Sequence, residues 1–437
     1  MIKHRTQRFF NFSGSFATRQ ILSNAGSMYG TTLVTSFLGF AFWGIAARTV
    51  SPSAVGAASA SISAMQLLAT FGTLGLGTLL IAELGGHGGS RKSTIMTCLW
   101  TAAIVSALAG AGYSIVLGHL PDVPAPIYGS WSGITLFSLG TALAAATMVL
   151  DGALIGLLRS KIQLWRNTIA SAVKLLLVPL GLVISMGTAS TDLFLWWFLG
   201  SAASAGYVVF LSRQPITWLR TPPSRSGMKG FGRLAAGHHW VNVSTQVPRY
   251  LLPVLVSIQL GNDANAGLYA ALLLAGFIWI VPNHIATAMF AVNAHDPSTL
   301  GSELTGVWRL CRLYSLAAAV GLAVLARPLL EIFGHTYTEA HWALICFAAA
   351  TPAVAVKSVY VAVRRAQGQL RRAALATSLG SALELILAEV GLATAGVTGV
   401  GLGVAIALTV EAFFYWPVMR RAMANGQTKR NAVRNQP

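Results

Sequence analysis

Asp151, Lys174, Arg249, Lys357, Glu384, Glu389 and Glu411 all stand inside long apolar runs of the sequence. An ionisable side chain at the centre of a membrane helix costs on the order of 3 kcal/mol, so each of these must face a partner or water. The chemistry open to them is ion pairing, proton binding, or capture of an oppositely charged solute. Arg249 is set apart, because no acid is level with it on an adjacent turn. Asn242, Gln246, Arg249 and Ser257 follow one another at spacings of four, three and eight, which places them on one helical face. A guanidinium is always charged and its fork matches a phosphate in bidentate fashion. A polar stripe around such a group predicts a wet cleft able to hold a phosphate.

The other charges fit bridges better than substrate contacts. Asp151 and Lys174 lie on either side of a predicted helical hairpin, about eleven and twelve residues from its turn, so they are expected to pair across it. Lys357 lies 206 residues after Asp151 and Glu384 lies 210 after Lys174, with the signs exchanged, and these two are expected to bridge as well. Glu389 and Glu411 have no evident partner and are left as protonated or ion-path groups.

Two further polar stripes, Ser59, Ser63, Gln66, Thr70 and Thr73, and Asn24, Thr31 and Thr35, are expected to line the same cavity as Arg249. For any one Ser or Thr among them, local packing between helices is the stronger reading. Asn283 and His284 are read as packing residues. Arg48 closes an apolar run, where it either receives a phosphate or anchors the helix at the interface. Trp43, Trp131, Trp196, Trp197, Trp308, Trp342 and Trp416 lie near run ends, as an aromatic belt would.

What must position these residues is a set of membrane helices. The chain is 54% apolar and only 10% charged, which excludes a soluble globule with an ordinary charged surface. Apolar runs long enough for a bilayer fall near 22–47, 54–82, 94–118, 128–158, 164–187, 192–212, 240–260, 265–293, 307–326, 340–363, 372–394 and 397–419. Every second loop is basic, and 25 of the 30 Lys and Arg residues collect on one side. That bias predicts a multi-pass protein of the bacterial inner membrane with both termini cytoplasmic.

The net charge of +18 therefore reports orientation, and no nucleic-acid partner is expected. The basic start, Met1 to Arg19, leads into a full-length span, so no cleaved leader is predicted. Cys98, Cys311 and Cys346 show no ligand spacing, and the Gly85–Gly89 stretch lacks a phosphate-loop lysine. No metal, cofactor or ATP chemistry is expected, and the short external loops leave no room for an enzymatic module.

The sequence also repeats. Arg48-Thr49-Val50-Ser51-Pro52-Ser53-Ala54-Val55-Gly56 after span one answers Leu260-Gly261-Asn262-Asp263-Ala264-Asn265-Ala266-Gly267-Leu268-Tyr269 after span seven, with Gly56 and Gly267 separated by 211 residues. Leu164-Trp165-Arg166 likewise answers Leu370-Arg371-Arg372, and Gly181-Leu182 answers Gly391-Leu392. The expected layout is a basic N-terminus (1–21), an N-lobe (22–212), a basic linker (213–239), a C-lobe (240–421) and a basic tail (422–437). Six spans per half set the lobes in parallel about an axis along the membrane normal.

These two turns resemble those of the Wzx-type polysaccharide-transporter or O-antigen flippases of the multidrug/oligosaccharidyl-lipid/polysaccharide (MOP) exporter superfamily. The resemblance covers nearly the whole chain. It implies an all-α, MATE-like fold of about twelve transmembrane helices in two six-helix lobes, working by alternating access. It further implies export of an undecaprenyl-pyrophosphate-linked glycan, with membrane lipid and the glycosyltransferases and polymerase of the same pathway as partners, and a monomeric unit. Many relatives carry an acid in the middle of span seven, where this chain has Pro248-Arg249. A cation-coupled multidrug exporter, and an enzyme or scaffold of polysaccharide assembly, are the alternatives.

Overall fold

The computed structural model describes residues 16–84, 91–119, 128–157, 159–181, 188–211, 232–293 and 300–434. Helix is the only regular structure among them. The first half holds α1 (Phe16–Thr49), α2 (Pro52–Gly72), α3 (Leu76–Glu83), α4 (Arg91–Gly118), α5 (Trp131–Gly156), α6 (Ser160–Gly181) and α7 (Ala189–Leu211). The second holds α8 (Gly232–Gln259), α9 (Asn262–Asn293), α10 (Leu300–Val324), α11 (Ala326–Glu331), a 3₁₀ turn (His335–Ala340), α12 (His341–Ala349), α13 (Thr351–Ala366) and α14 (Leu370–Arg434).

Eight of these helices are long and apolar enough to cross a membrane, and a ninth crossing is the pair His335–Ala349 and Thr351–Ala366, bent by 45°. The remaining crossings are α6 and α8, which carry more polar residues than their neighbours α5 and α9, and the second arm of α14. That last helix is broken at Ala395 and Gly396, so residues 370–394 and 397–434 form two antiparallel arms. Gly396 adopts φ +57 and ψ −139, a conformation that only glycine reaches without strain. Among the described residues the helices thus supply twelve crossings, six in each half. The expected basic N-terminus and linker fall mostly outside the described residues. Where the linker is described, α8 begins at Gly232, eight residues ahead of the expected span, because His238, His239 and Trp240 extend the helix beyond its apolar part.

Lipid is as apolar as leucine, so helices in a membrane are held by close packing and hydrogen bonds. Small residues supply the packing. A Cβ on Gly391 would lie 2.0 Å from the Gly399 carbonyl oxygen, and one on Gly403 would lie 2.1 Å from that of Leu387, so the arms of α14 touch backbone to backbone. Gly152 does the same for α5, where a Cβ would come within 2.3 Å of the Gly77 carbonyl oxygen in α3.

The halves meet where the sequence repeats. A Cβ on Gly56 would fall 1.8 Å from the Asn262 carbonyl oxygen. Asn265 Nδ2 donates to the Gly56 carbonyl at 2.8 Å and to Ser59 Oγ at 3.1 Å. Arg48 donates to the carbonyls of Glu331 and Ile332 just beyond. The end holding these contacts also carries Asp192, Asp263 and Glu339, while the opposite end carries Arg159, Arg364, Arg371 and Arg420. They are called the acidic and basic ends below.

At two of the prolines inside helices, the carbonyl left without its helical donor accepts from a hydroxyl of a neighbouring helix. Pro248 frees the Ser244 carbonyl, which accepts from Ser381 Oγ of α14. Pro282 frees the Ile278 carbonyl, which accepts from the Tyr314 hydroxyl of α10 at 3.1 Å.

Candidate functional site

Asn242, Gln246 and Arg249 of α8 line a cavity of about 370 Å³ toward the basic end of the second half. Trp279 and Asn283 of α9, Lys357 and Arg365 of α13, and Glu384 of α14 complete its polar wall. The 3.6-residue period of α8 puts Asn242, Gln246 and Arg249 in one file. Arg249 is exposed to this space, and no carboxylate among the described residues lies within ion-pair distance of it. Gly276 lies beside its guanidinium, where a Cβ would sit in ordinary contact 3.7 Å from Nη2. Trp279 is fixed by a hydrogen bond from Nε1 to Thr351 Oγ1 at 3.2 Å and by an edge contact with Phe347.

Beneath the cavity wall Lys357 meets two acids. Its Nζ binds Glu384 Oε1 and lies 3.0 Å from Glu411 Oε2, and all three side chains are largely buried. Tyr415 donates to Glu411 at 2.9 Å and stacks on Tyr360 with centroids 4.1 Å apart. Gly380 forms the recess for the Glu411 carboxyl, because a Cβ at that position would fall 2.3 Å from Glu411 Cδ. The Lys357–Glu384 bridge is the one expected from the repeat. Glu411 joins it, contrary to its reading as unpartnered, because the α14 hairpin brings residue 411 beside residue 380. Glu389 also has a partner, Gln259, whose Nε2 donates to it at 2.7 Å.

The first half departs from expectation. Asp151 pairs with Arg166 at 2.7 Å and is not bridged to Lys174. The reason is the position of the turn: α5 ends at Gly156 and α6 begins at Ser160, so Asp151, eight residues before Arg159, is level with Arg166, seven after it. Arg166 also donates to Asn167 at 2.8 Å and to Ser204 at 3.3 Å. Lys174 lies two turns deeper with its Nζ 3.5 Å from the centroid of the Trp197 ring, a cation–π contact.

The expected contribution of the first two spans to the cavity is also corrected. The residues lining it come from α8, α9, α13 and α14. Direct packing of α2 on α8 and α9 fills the space where Gln66 was expected to face solute, and Gln66 is outside the cavity. Ser59, Thr70, Thr73 and Thr35 donate to carbonyls of their own helices, the packing behaviour of small hydroxyls. Asn24 lies in α1, but its side chain is outside the described residues. Arg48 is at the acidic end on backbone carbonyls, a tie between halves and not part of the cavity. Trp131 and Trp342 are exposed as belt residues should be, whereas Trp43 and Trp196 are buried in the core.

Sequence reasoning missed Arg365, which it assigned to a loop. Its neighbour Arg364 binds Gln369 and closes the turn after α13, while Arg365 Nη2 reaches inward to Asn242 Oδ1 at 2.8 Å. The signal was the doublet itself: adjacent arginines at a helix end point about 100° apart, so only one can follow the turn.

Solved structures share this architecture. The chain matches an inward-facing multidrug resistance MATE family transporter of the MOP superfamily over 90% of its own length and 96% of that chain, at 15% identity and a TM-score of 0.72. An outward-facing structure of a multidrug resistance MATE family transporter of the same superfamily matches over 94% and 96%, at 15% identity and a TM-score of 0.62. A MOP superfamily transporter from Pyrococcus furiosus, described as having a binding pocket of reverse polarity that suggests a different function, matches over 93% and 96%, at 14% identity and a TM-score of 0.66. At such identities the likeness establishes the fold, which is the expected MATE-like, multi-pass membrane architecture. No protein-family model and no curated protein matches the sequence.

Proposed function

We propose that this chain, built on the fold of MOP superfamily transporters, is a flippase for a polyprenyl-pyrophosphate-linked oligosaccharide or polysaccharide repeat unit. The observation that carries the reading is Arg249, a guanidinium held in a polar cavity with no carboxylate to neutralise it. A cavity that leaves an arginine unpaired is matched to an anion, and the pyrophosphate is the anion of such lipids. The amides of Gln246 and Asn283 suit sugar hydroxyls. The basic end is cytoplasmic on this reading, so the cavity opens to the side where lipid-linked sugars are made. The contacts of Gly56, Asn265 and Arg48 close the outer end, in keeping with the higher TM-score against an inward-facing structure, 0.72, than against an outward-facing one, 0.62. On this reading the chain is a carrier, as the transporters that share its fold are.

A second reading, export of small cations, is favoured by the Glu384 carboxylate in the cavity wall and by the multidrug transporters that share the fold. It is the weaker one, because Glu384 is already paired with Lys357.

The test is flipping of a fluorescent undecaprenyl-pyrophosphate oligosaccharide in proteoliposomes. A charge-assisted hydrogen bond to phosphate contributes about 1.5–3 kcal/mol, so Arg249→Ala should lower transport roughly ten- to a hundredfold at subsaturating substrate. Full activity without Arg249, with uptake of a cationic dye that Glu384→Gln abolishes, would replace the flippase by the exporter.

A further inference from the structure

Arg365 is the second arginine of the cavity, and its surroundings differ from those of Arg249. Its Nη2 is engaged by Asn242, but its Nε is buried and meets no acceptor. His238, one turn before Asn242 on α8, likewise has a buried Nδ1 without a partner, and it lies close enough to Arg365 for their charges to interact. A buried polar atom left unbonded costs about 1–3 kcal/mol, so Arg365, which lines the cavity, is held there short of acceptors. The acid lining the cavity, Glu384, is taken by Lys357 and offers Arg365 nothing.

Position separates the two arginines. Arg365 ends α13 at the basic end and touches Asn242, whereas Arg249 lies seven residues further along α8, roughly 10 Å deeper at 1.5 Å per residue. The two arginines thus enter the cavity from different depths. We infer that Arg365, with Asn242 and His238, forms a mouth station that first captures the anionic head of the substrate and passes it inward to Arg249. The inference rests on the reading of Arg249 as a phosphate site, and it adds a second, separable site with a different kinetic role. A cation at the mouth governs the rate of capture, and one at depth governs retention.

Stopped-flow binding of a dansyl-labelled farnesyl diphosphate to the full chain in nanodiscs distinguishes these roles. Arg365→Gln should slow association about tenfold at low salt, flatten its dependence on ionic strength, and leave the dissociation rate within about twofold. Arg365→Lys, which keeps the charge, should recover most of the rate. Arg249→Gln should accelerate dissociation instead. A merely structural Arg365 would change thermal stability while leaving the salt slope of association as in the unaltered protein, and that outcome overturns the mouth station. Normal association in Arg365→Gln with lost binding in Arg249→Gln overturns it too, while sparing the deep site. A slowed Arg365→Gln with an unaffected Arg249→Gln keeps the mouth as an anion site and removes the deep one. No binding by the unaltered chain overturns both.

Discussion

Replacing Lys357 by Met would remove the cation that two buried carboxylates share. At 3.0 Å and an effective dielectric of about 20, the Lys357–Glu411 attraction alone is roughly 5 kcal/mol before desolvation is counted, and Glu384 is at least as close. Breaking a buried pair by removing one partner typically costs 3–5 kcal/mol, because the charge left behind has neither water nor counterion. Here two charges are left, and they face each other across the α14 hairpin. Lys357→Met should therefore lower stability by about 3–5 kcal/mol, two to four decades in the folding equilibrium. The readout is the fraction of purified protein that stays monodisperse on gel filtration after heating. A triple variant, Lys357→Met with Glu384→Gln and Glu411→Gln, removes every charge while keeping the shape, and should recover most of the loss. If Lys357→Met is as stable as the unaltered chain, or if the triple variant is no better than the single one, the cluster is not held by charge and the reasoning fails.

The corrected pair in the first half gives a parallel test: a double-mutant cycle on Asp151 and Arg166 should show coupling of about 1–3 kcal/mol, and one on Asp151 and Lys174 less than about 0.5 kcal/mol. Equal coupling in both cycles would restore the hairpin bridge that the turn position argues against. Ser381→Ala should destabilise by about 1–3 kcal/mol by stranding the Ser244 carbonyl, and the penalty should vanish in a Pro248→Ala background, where residue 248 again supplies an N–H. A penalty of the same size in both backgrounds, measured by thermal gel filtration, would mean that Ser381 acts elsewhere. Gly56→Val should force α2 from α9 and raise the labelling rate of a cysteine placed at Ser257, and unchanged labelling would show that the acidic end does not depend on that crossing.

How far the sequence discloses these features depends on what kind of regularity each one follows. The twelve crossings were legible because bilayer thickness imposes one length on every apolar run. The Lys357–Glu384 bridge was legible because the two residues flank one hairpin and both have counterparts in the first half. Asp151 was assigned the wrong partner by a shift of a few residues in a turn: the apolar runs on either side do not mark where α5 ends and α6 begins, and two turns of helix separate Arg166 from Lys174. Arg365 was hidden by the same weakness, since hydrophobicity fades before α13 does and its last turn looked like loop. Gln66 and the hydroxyls of α2 were expected in a cavity because periodicity shows that residues share a face, but not whether that face meets solvent or another helix. The Ser381 and Tyr314 donors to proline-freed carbonyls join residues 137 and 36 positions apart, beyond any local pattern.

The charge cluster also has an order in time. Ribosomes deliver Lys357 first, Glu384 27 residues later and Glu411 27 after that, each on a separate crossing. A lone lysine at mid-membrane resists release into lipid by roughly 3 kcal/mol, and its first counterion is not yet made when its own helix is complete. The tenth crossing is therefore held back until the eleventh emerges, and the pair still lacks the Gly391–Gly399 clasp and its second acid until the twelfth follows. The last three crossings are committed to enter the bilayer as one cooperative batch, so truncation after about residue 380 would strand a helix that the finished protein holds firmly.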